Sequence, residues 1–365
     1  MSMAPDMSAE NQESDAAILE NAAPLTTRVD TVILGRMDFT SVLLRLIGME
    51  LFKVRRRLMS KVLASLALFL ALLVPLAVGM ELAINLNTSA SSFTPPCQTQ
   101  LRVSERSGPG GGCTPLSASA LETIKQEIIG GLSAPLRLPS SLEMAVTQGE
   151  FNPALILIII LVGTIAGGEL SLGTVRLMFS RGPWRGQFLL AKYGVALVCT
   201  VLGVLSMAIA GVALGQIFNL FSGVPQSFAF LNAAWIGHAL LYLLATMLNW
   251  FMYAVVAIFF GVLGRSTVAG IVGAVTWFFA EPIVSSVLTV AGNFSVGIAG
   301  AFLRALPNYL MGNNARALQL NQAHYLFGGA GASQSDLQAL IILAVYLAVF
   351  IGLTWWLNES RDVTN

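Results

Sequence analysis

The chain contains six long stretches of nearly continuous apolar residues, and the length of these stretches predicts transmembrane helices. They cover residues 62–84, 153–168, 193–214, 235–263, 267–291 and 337–357. About 20 apolar residues in a helix span a bilayer core roughly 30 Å thick. A membrane β-strand would be about 9–11 residues long, with apolar and polar positions alternating. The pattern therefore predicts an all-α polytopic membrane protein with six transmembrane helices.

The residues ahead of the first apolar stretch carry most of the charge near the N-terminus. Residues 1–35 hold six acidic residues and one basic residue, which predicts a disordered acidic cytoplasmic tail. In residues 36–61, apolar side chains recur at helical spacing, which predicts a basic amphipathic helix at the membrane interface. Its charged candidates are Glu50, Lys53, Arg55, Arg56 and Arg57. A basic anchor that only fixes the topology is the simpler interpretation, and it is compatible with this helix.

Composition excludes several functional classes. Only 11% of the residues are charged, against about 25% in soluble domains, and the mean hydropathy is +0.74. The net charge of +1 gives no global basic surface for nucleic acid. Two His and three Cys are too few for a zinc or iron–sulfur framework, and no Ser–His–Asp or Cys–His set falls in one compartment. We therefore predict no metal site, no catalytic residue and no enzymatic activity.

The distribution of basic residues predicts the orientation in the membrane. Fourteen of the twenty Lys and Arg fall in segments that are cytoplasmic if the N-terminus is inside. This places residues 169–192 and 358–365 in the cytoplasm and residues 85–152 and 292–336 outside. We expect a multi-pass protein of the cell (plasma) membrane with both termini in the cytoplasm.

The external segment 85–152 contains two cysteines, Cys97 and Cys113. An oxidising compartment favours a disulfide between them, and closing this loop would stabilise the fold by roughly 3 kcal/mol. The alternative is two free thiols in a mobile loop.

The cytoplasmic connection 169–192 has the composition of a docking surface. A short helix there would present apolar side chains among arginines, and such mixtures are typical of interface cores. The candidate contact residues are Glu169, Leu172, Gly173, Thr174, Arg176, Arg181 and Arg185. The alternative is a basic loop that lies against lipid headgroups.

Polar residues within the apolar stretches are a second source of candidates. Glu281 precedes Pro282 midway along the fifth stretch, where a carboxylate costs about 2.5–3.5 kcal/mol even on the lenient insertion scale. It could line or gate a translocation pathway or bind a cation, or it could be a buried carboxyl that is protonated or hydrogen-bonds to a neighbouring helix. Asn249 in the fourth stretch is a weaker pathway candidate, since Asn commonly joins membrane helices.

Taken together, these segments resemble the permease subunit of ATP-binding-cassette (ABC) type-2 exporters. The resemblance covers most of the chain. It depends on the basic segment 45–61 with Glu50-Leu51-Phe52-Lys53, on Gly168-Glu169, Gly173-Thr174 and Arg176, and on Arg181-Gly182-Pro183 with Arg185 and Lys192. It implies six transmembrane helices, an N-terminal interfacial helix, a cytoplasmic coupling helix after the second span and an external re-entrant segment before the last.

The resemblance also implies a function. A GxxxxGK[ST] phosphate loop is absent from the sequence, so a separate ABC ATPase subunit that binds ATP-Mg would supply the energy. Glu169 would cap or salt-link the coupling helix, and Arg176, Arg181 and Arg185 would contact the ATPase or fix the loop. The implied partners are this ATPase, a second permease subunit, identical or different, and membrane lipid, with a hydrophobic or amphipathic substrate. The alternatives are an ion-coupled secondary transporter and a membrane-anchored scaffold or receptor.

Overall fold

The computed structural model describes residues 39–89, 117–147, 152–171, 185–222 and 228–360, and all regular structure in these ranges is helical. The α-helices are α1 Phe39–Arg56, α2 Leu58–Asn87, α3 Ala118–Ser133, α4 Ser140–Val146, α5 Pro153–Ser171, α6 Arg185–Ser222, α7 Ala233–Leu263, α8 Thr267–Phe294, α9 Gly297–Ala305, α10 Met311–Phe327 and α11 Asp336–Ser360. Short 3₁₀ helices, Ala134–Leu136 and Leu306–Tyr309, precede α4 and α10. By its contacts, Leu43–Asn365 forms one unit, whose packing is described below.

Five of these helices, α2, α6, α7, α8 and α11, are long and apolar enough to cross a membrane. The α5 helix has a shorter apolar part, Pro153–Glu169. The described part of the chain is thus that of a helical membrane protein with five helices able to span the bilayer, and the sixth predicted span corresponds to this shorter helix.

The first predicted boundary differs from the structure. We expected the interfacial helix to continue through residue 61, but α1 ends at Arg56 and α2 begins at Leu58. The backbone of Arg57 is extended, with φ −70° and ψ 127°, so the change of direction occurs at that residue.

Side-chain caps define where several helices begin. The Asn152 side chain accepts hydrogen bonds from the backbone N–H groups of Ala154 and Leu155 at the start of α5. Asn232 caps α7 in the same way, and Ser266 caps α8 after a turn of only three residues. Such caps satisfy backbone donors that lack a partner within the helix. The short turn makes α7 and α8 antiparallel neighbours.

The α7 helix lies at the centre of the packing. It contacts α5, α6, α8, α10 and α11, and its segment from Met252 to Ile258 is buried on every side. A helix that is apolar all round belongs in a protein interior.

Glycines bring α5 and α8 into close contact. A Cβ atom at Gly167 would lie 2.4 Å from the backbone nitrogen of Thr267, and one at Gly163 would lie 2.8 Å from the Ile271 side chain. The two backbones therefore approach at a distance that only glycine permits, as small residues do between membrane helices.

The two predicted external segments contain folded elements. Between α8 and α11, residues 292–336 form α9, a 3₁₀ helix and α10, and α10 packs against α7 and α11. The earlier segment contains α3 and α4, and α4 was not predicted. The α4 helix packs on α6, where Gly211 and Gly215 leave room for Ala145 and Ser141.

Candidate functional site

Four charged side chains form a buried cluster where α1, α5 and α6 meet, which we call the ion-pair cluster. Glu169 of α5 lies between two lysines: its Oε1 is 2.6 Å from Lys53 Nζ, and its Oε2 is 3.0 Å from Lys192 Nζ. Lys53 also pairs with Glu50 at 2.8 Å. Lys192 is 1% exposed, and Glu50 and Glu169 are 5% and 6% exposed. Three of the four charged groups are therefore almost fully removed from solvent, and the Lys53 side chain is 37% exposed.

Each ammonium group in the ion-pair cluster has compensating partners. Lys192 donates a second hydrogen bond to the Ile165 carbonyl at 2.8 Å, and its nitrogen lies 4.5 Å from the centre of the Phe188 ring. Burial lowers the pKa of Lys53, but hydrogen bonds to Glu169 and Glu50 outweigh that effect, so the pKa of Lys53 is raised. Since a buried charge without partners is strongly destabilising, this pairing is what makes the cluster tolerable.

The other basic candidates lie on α1, at Arg57 and at the start of α6. Arg55, Arg56 and Arg57 are exposed, and the Arg56 guanidinium lies 5.1 Å from the centre of the Phe52 ring. Arg185 begins α6, and its Nη1 donates to the Glu359 carbonyl at 3.4 Å near the end of α11.

Several predicted residues lie outside the described part of the chain. These are Leu172, Gly173, Thr174, Arg176 and Arg181 of the coupling segment, Cys97 and Cys113 of the proposed disulfide, and the acidic tail 1–35. Their predicted roles stay predictions.

A second site is a cavity of about 710 Å³ among the helices, which we call the polar cavity. Its wall comes mainly from α4, α7, α8 and α10. Polar lining residues include Glu143, Thr147, Asn152, Tyr242, Asn249, Tyr253, Glu281, Ser285, Asn313, Arg316 and Gln319. A cavity of this size can hold a drug-sized molecule.

Glu281 projects from α8 towards the N-terminal end of α10, and it is 6% exposed. One carboxylate oxygen, Oε1, accepts a hydrogen bond from the backbone N–H of Gly312. The Trp277 indole is close enough to interact with the carboxylate electrostatically. The other oxygen, Oε2, is buried and has no hydrogen-bond partner of normal geometry among the described residues.

Asn249 also lines the polar cavity, and a chain of hydrogen bonds fixes its orientation. The Thr246 hydroxyl donates to the Tyr242 carbonyl at 2.9 Å and accepts from Gln319 Nε2 at 3.0 Å. Gln319 therefore turns its Oε1 towards Asn249, whose Nδ2 donates to it at 3.3 Å. This leaves Asn249 Oδ1 buried and without a partner among the described residues.

The structure brings all three predicted pathway residues, Glu281, Pro282 and Asn249, to one cavity, together with residues that the sequence did not single out. Glu143, on the unpredicted helix α4, faces the same space, and burial raises the pKa of its carboxyl group. Gln319 and Tyr253 were also missed. A polar residue such as Gln319 would have been noticed only if α10 had been predicted to pack against the apolar helix α7.

Among the described residues, no group of three or more His, Cys, Asp and Glu side chains is arranged to hold a metal ion.

Comparison with known proteins gives one match. A family model described as a protein of unknown function (DUF2705) matches residues 138–364, well over half of the chain. The matched region begins shortly before α4 and continues through α11, so it includes Glu169, Lys192 and most of the wall of the polar cavity. No curated protein and no solved structure matches the chain. The chain belongs to the DUF2705 family of proteins of unknown function.

Proposed function

We propose that this chain is the membrane-spanning permease subunit of an ATP-driven ABC exporter of the type-2 class. The order of its elements supports this: a basic amphipathic helix, then long apolar helices, a basic segment between the second and third, and a folded segment before the last. Energy would come from a separate ATPase subunit that binds ATP-Mg. The complex would include a second permease subunit and would lie in the cell membrane, with both termini in the cytoplasm.

The observation that carries the proposal is the position of the ion-pair cluster. Residues 169–192, the expected ATPase-docking segment, run from the end of α5 into the first turns of α6. Glu169 and Lys192 are the two ends of this segment, and an ion pair joins them. Lys53 attaches α1 to the same carboxylate. A force on the docking segment would therefore move the ends of three helices together.

Helix packing extends this connection towards the polar cavity. The glycine contacts described above hold α5 tightly against α8, and α8 carries Glu281. Packed helices move as rigid elements, so a displacement of α5 would shift the wall of the cavity. In this account, the polar cavity is part of the translocation path, and its mixed apolar and polar lining suits a hydrophobic or amphipathic substrate.

Co-purification tests the proposal. The tagged full-length chain is extracted from native membranes in mild detergent, and its partners are identified by mass spectrometry. We expect an ABC ATPase in an amount comparable with the chain. Replacing Gly173 and Arg176 together should remove most of it, whereas replacing the exposed Arg55 should not. Absence of any ABC ATPase, under conditions that preserve other such complexes, would contradict the proposal.

One observation favours a second candidate, an ion-coupled carrier. The buried carboxylate of Glu281 in the polar cavity is the kind of group through which a carrier exchanges a proton or cation. Such a carrier would transport its substrate without an ATPase and would stop when the ion gradient is collapsed, which distinguishes the two candidates.

A further inference from the structure

The unpaired polar atoms of the polar cavity have one chemical character. Glu281 Oε2 and Asn249 Oδ1 are both buried acceptors that have no hydrogen bond of normal geometry among the described residues, although the Trp277 indole lies close to the Glu281 carboxylate. Buried acceptors without donors are costly, and native proteins rarely leave them unsatisfied. What completes this cavity must therefore bring hydrogen-bond donors.

The charge of the residues that line the polar cavity also favours a ligand that donates hydrogen bonds. Its formally charged lining residues are Glu143, Glu281 and Arg316, so carboxylates exceed cations by one. Arg316 is exposed, whereas Glu281 is 6% exposed. A cationic ligand would compensate the deeper carboxylate, and an anionic ligand would have to approach it.

Space for such a ligand exists beside the carboxylate. A Cβ atom at Gly312 would lie 2.7 Å from the Tyr253 hydroxyl and 3.1 Å from Glu281 Oε2, so the absence of a side chain keeps this corner open. The Tyr253 and Phe278 rings, whose centres are 5.3 Å apart, add aromatic surface. Aromatic faces attract organic cations and also pack against apolar groups.

We propose that the polar cavity binds an organic ammonium compound with an apolar body, whose N–H groups pair with Glu281 and donate to the buried acceptors of the wall. This inference deepens the proposed function, because it takes the cavity to be the exporter's substrate site. Ligand binding to this chain requires no ATPase, so it is measured separately.

Equilibrium binding of three compounds that share a naphthyl group and carry a short side chain of different charge tests the inference. The full-length chain in lipid nanodiscs is titrated with naphthylethylamine, which is cationic, naphthylethanol, which is neutral, and naphthylacetate, which is anionic. The amine should bind about tenfold or more tightly than the alcohol, since an ion-paired hydrogen bond is stronger than a neutral one. The anion should bind weakest.

Variants locate the binding. Glu281→Gln should weaken amine binding about tenfold and leave alcohol binding nearly unchanged. The matched control Glu127→Gln removes an exposed carboxylate on α3 and should change neither. Should Glu281→Gln fail to fold, Gly312→Ala retains the carboxylate but fills the space beside it, and it should reduce amine binding.

Three results would overturn the inference: no binding of the amine to the wild-type chain, equal binding of all three compounds, or tightest binding of the anion. If an ABC ATPase still co-purified with the chain, the proposed function would stand and only the ligand class would be wrong. If the amine bound but no ATPase accompanied the chain, the ligand class would stand and the ion-coupled carrier would replace the exporter.

Discussion

The ion-pair cluster and the polar cavity both contain buried carboxylates, but they differ in how those carboxylates are compensated. In the cluster, both oxygens of Glu169 are paired with lysines from other helices. In the cavity, Glu281 has one oxygen paired with a backbone N–H and the other unpaired. A carboxylate that is fully compensated joins helices, and one that is partly compensated beside open space is available to a ligand. Stability and binding should therefore respond differently to mutations in the two regions.

The largest effect should come from the centre of the ion-pair cluster. Glu169→Ala removes the carboxylate that pairs with the buried ammonium group of Lys192. Loss of one partner of a buried ion pair costs about 3–5 kcal/mol of folding stability. We expect a large drop in the midpoint of thermal unfolding in detergent, whereas the exposed Glu127→Ala should have little effect. Combining Glu169→Gln with Lys192→Met should recover part of the loss. Wild-type stability in the single variant would show that the cluster does not hold the helices.

The second largest loss of stability should come from the glycine contact between α5 and α8, which connects the two regions. Gly167→Ala places a methyl group 2.4 Å from the Thr267 backbone, and overpacking of this kind costs about 1–3 kcal/mol. Gly352→Ala is the control, because a Cβ atom there has nothing within 4 Å, and it should be neutral or slightly stabilising. Thermal unfolding measures both. Equal midpoints for the two variants would argue against tight contact between α5 and α8.

The hydrogen-bond chain in the cavity wall should contribute less. Gln319→Leu removes the bonds to Thr246 and Asn249, and the expected loss is about 1 kcal/mol. The control Gln126→Leu removes an exposed hydrogen bond on α3 and should have almost no effect. Thermal unfolding of the two variants side by side tests this difference. An unchanged midpoint for Gln319→Leu would indicate that these hydrogen bonds do not hold α10 to α7.

The smallest expected effect concerns Glu143. Burial raises the pKa of its carboxyl group in the folded protein, so ionised Glu143 is less stable there than in the unfolded chain. This penalty is absent at pH values below the unfolded pKa, grows as the pH rises above it, and is complete above the folded pKa. Glu143→Gln should therefore raise the unfolding temperature slightly at pH 7 and leave it unchanged near pH 4. A stabilisation of equal size at both pH values would show that ionisation is not its cause.

The elements that the sequence predicted best are those specified locally. Apolar length alone identified the long helices, and the rarity of a carboxylate at that depth was enough to single out Glu281. Lys53 and Glu169 are 116 positions apart, and no local pattern pairs them. Their contact depends on how α1, α5 and α6 pack.

Most of the residues in the wall of the polar cavity could not be predicted from the sequence, for a related reason. The α10 sequence mixes polar and apolar residues and has no long apolar run, so it did not indicate a packed helix. Packing against α7 brings Gln319 next to Thr246, which is 73 positions away in the sequence. Likewise, α4 has only seven residues, too few for a helical period to be recognised. Elements stabilised by tertiary contacts, and not by their own sequence pattern, were the ones missed.

The central claim is that the ion-pair cluster and the polar cavity belong to one ATP-driven machine. It is tested most directly by ATP hydrolysis of the purified complex in nanodiscs, measured with and without naphthylethylamine. The account predicts that the amine changes the hydrolysis rate of the wild-type complex, and that this response is lost in Glu281→Gln while basal hydrolysis persists. If the amine binds the polar cavity but does not change the rate of ATP hydrolysis, the claim is contradicted.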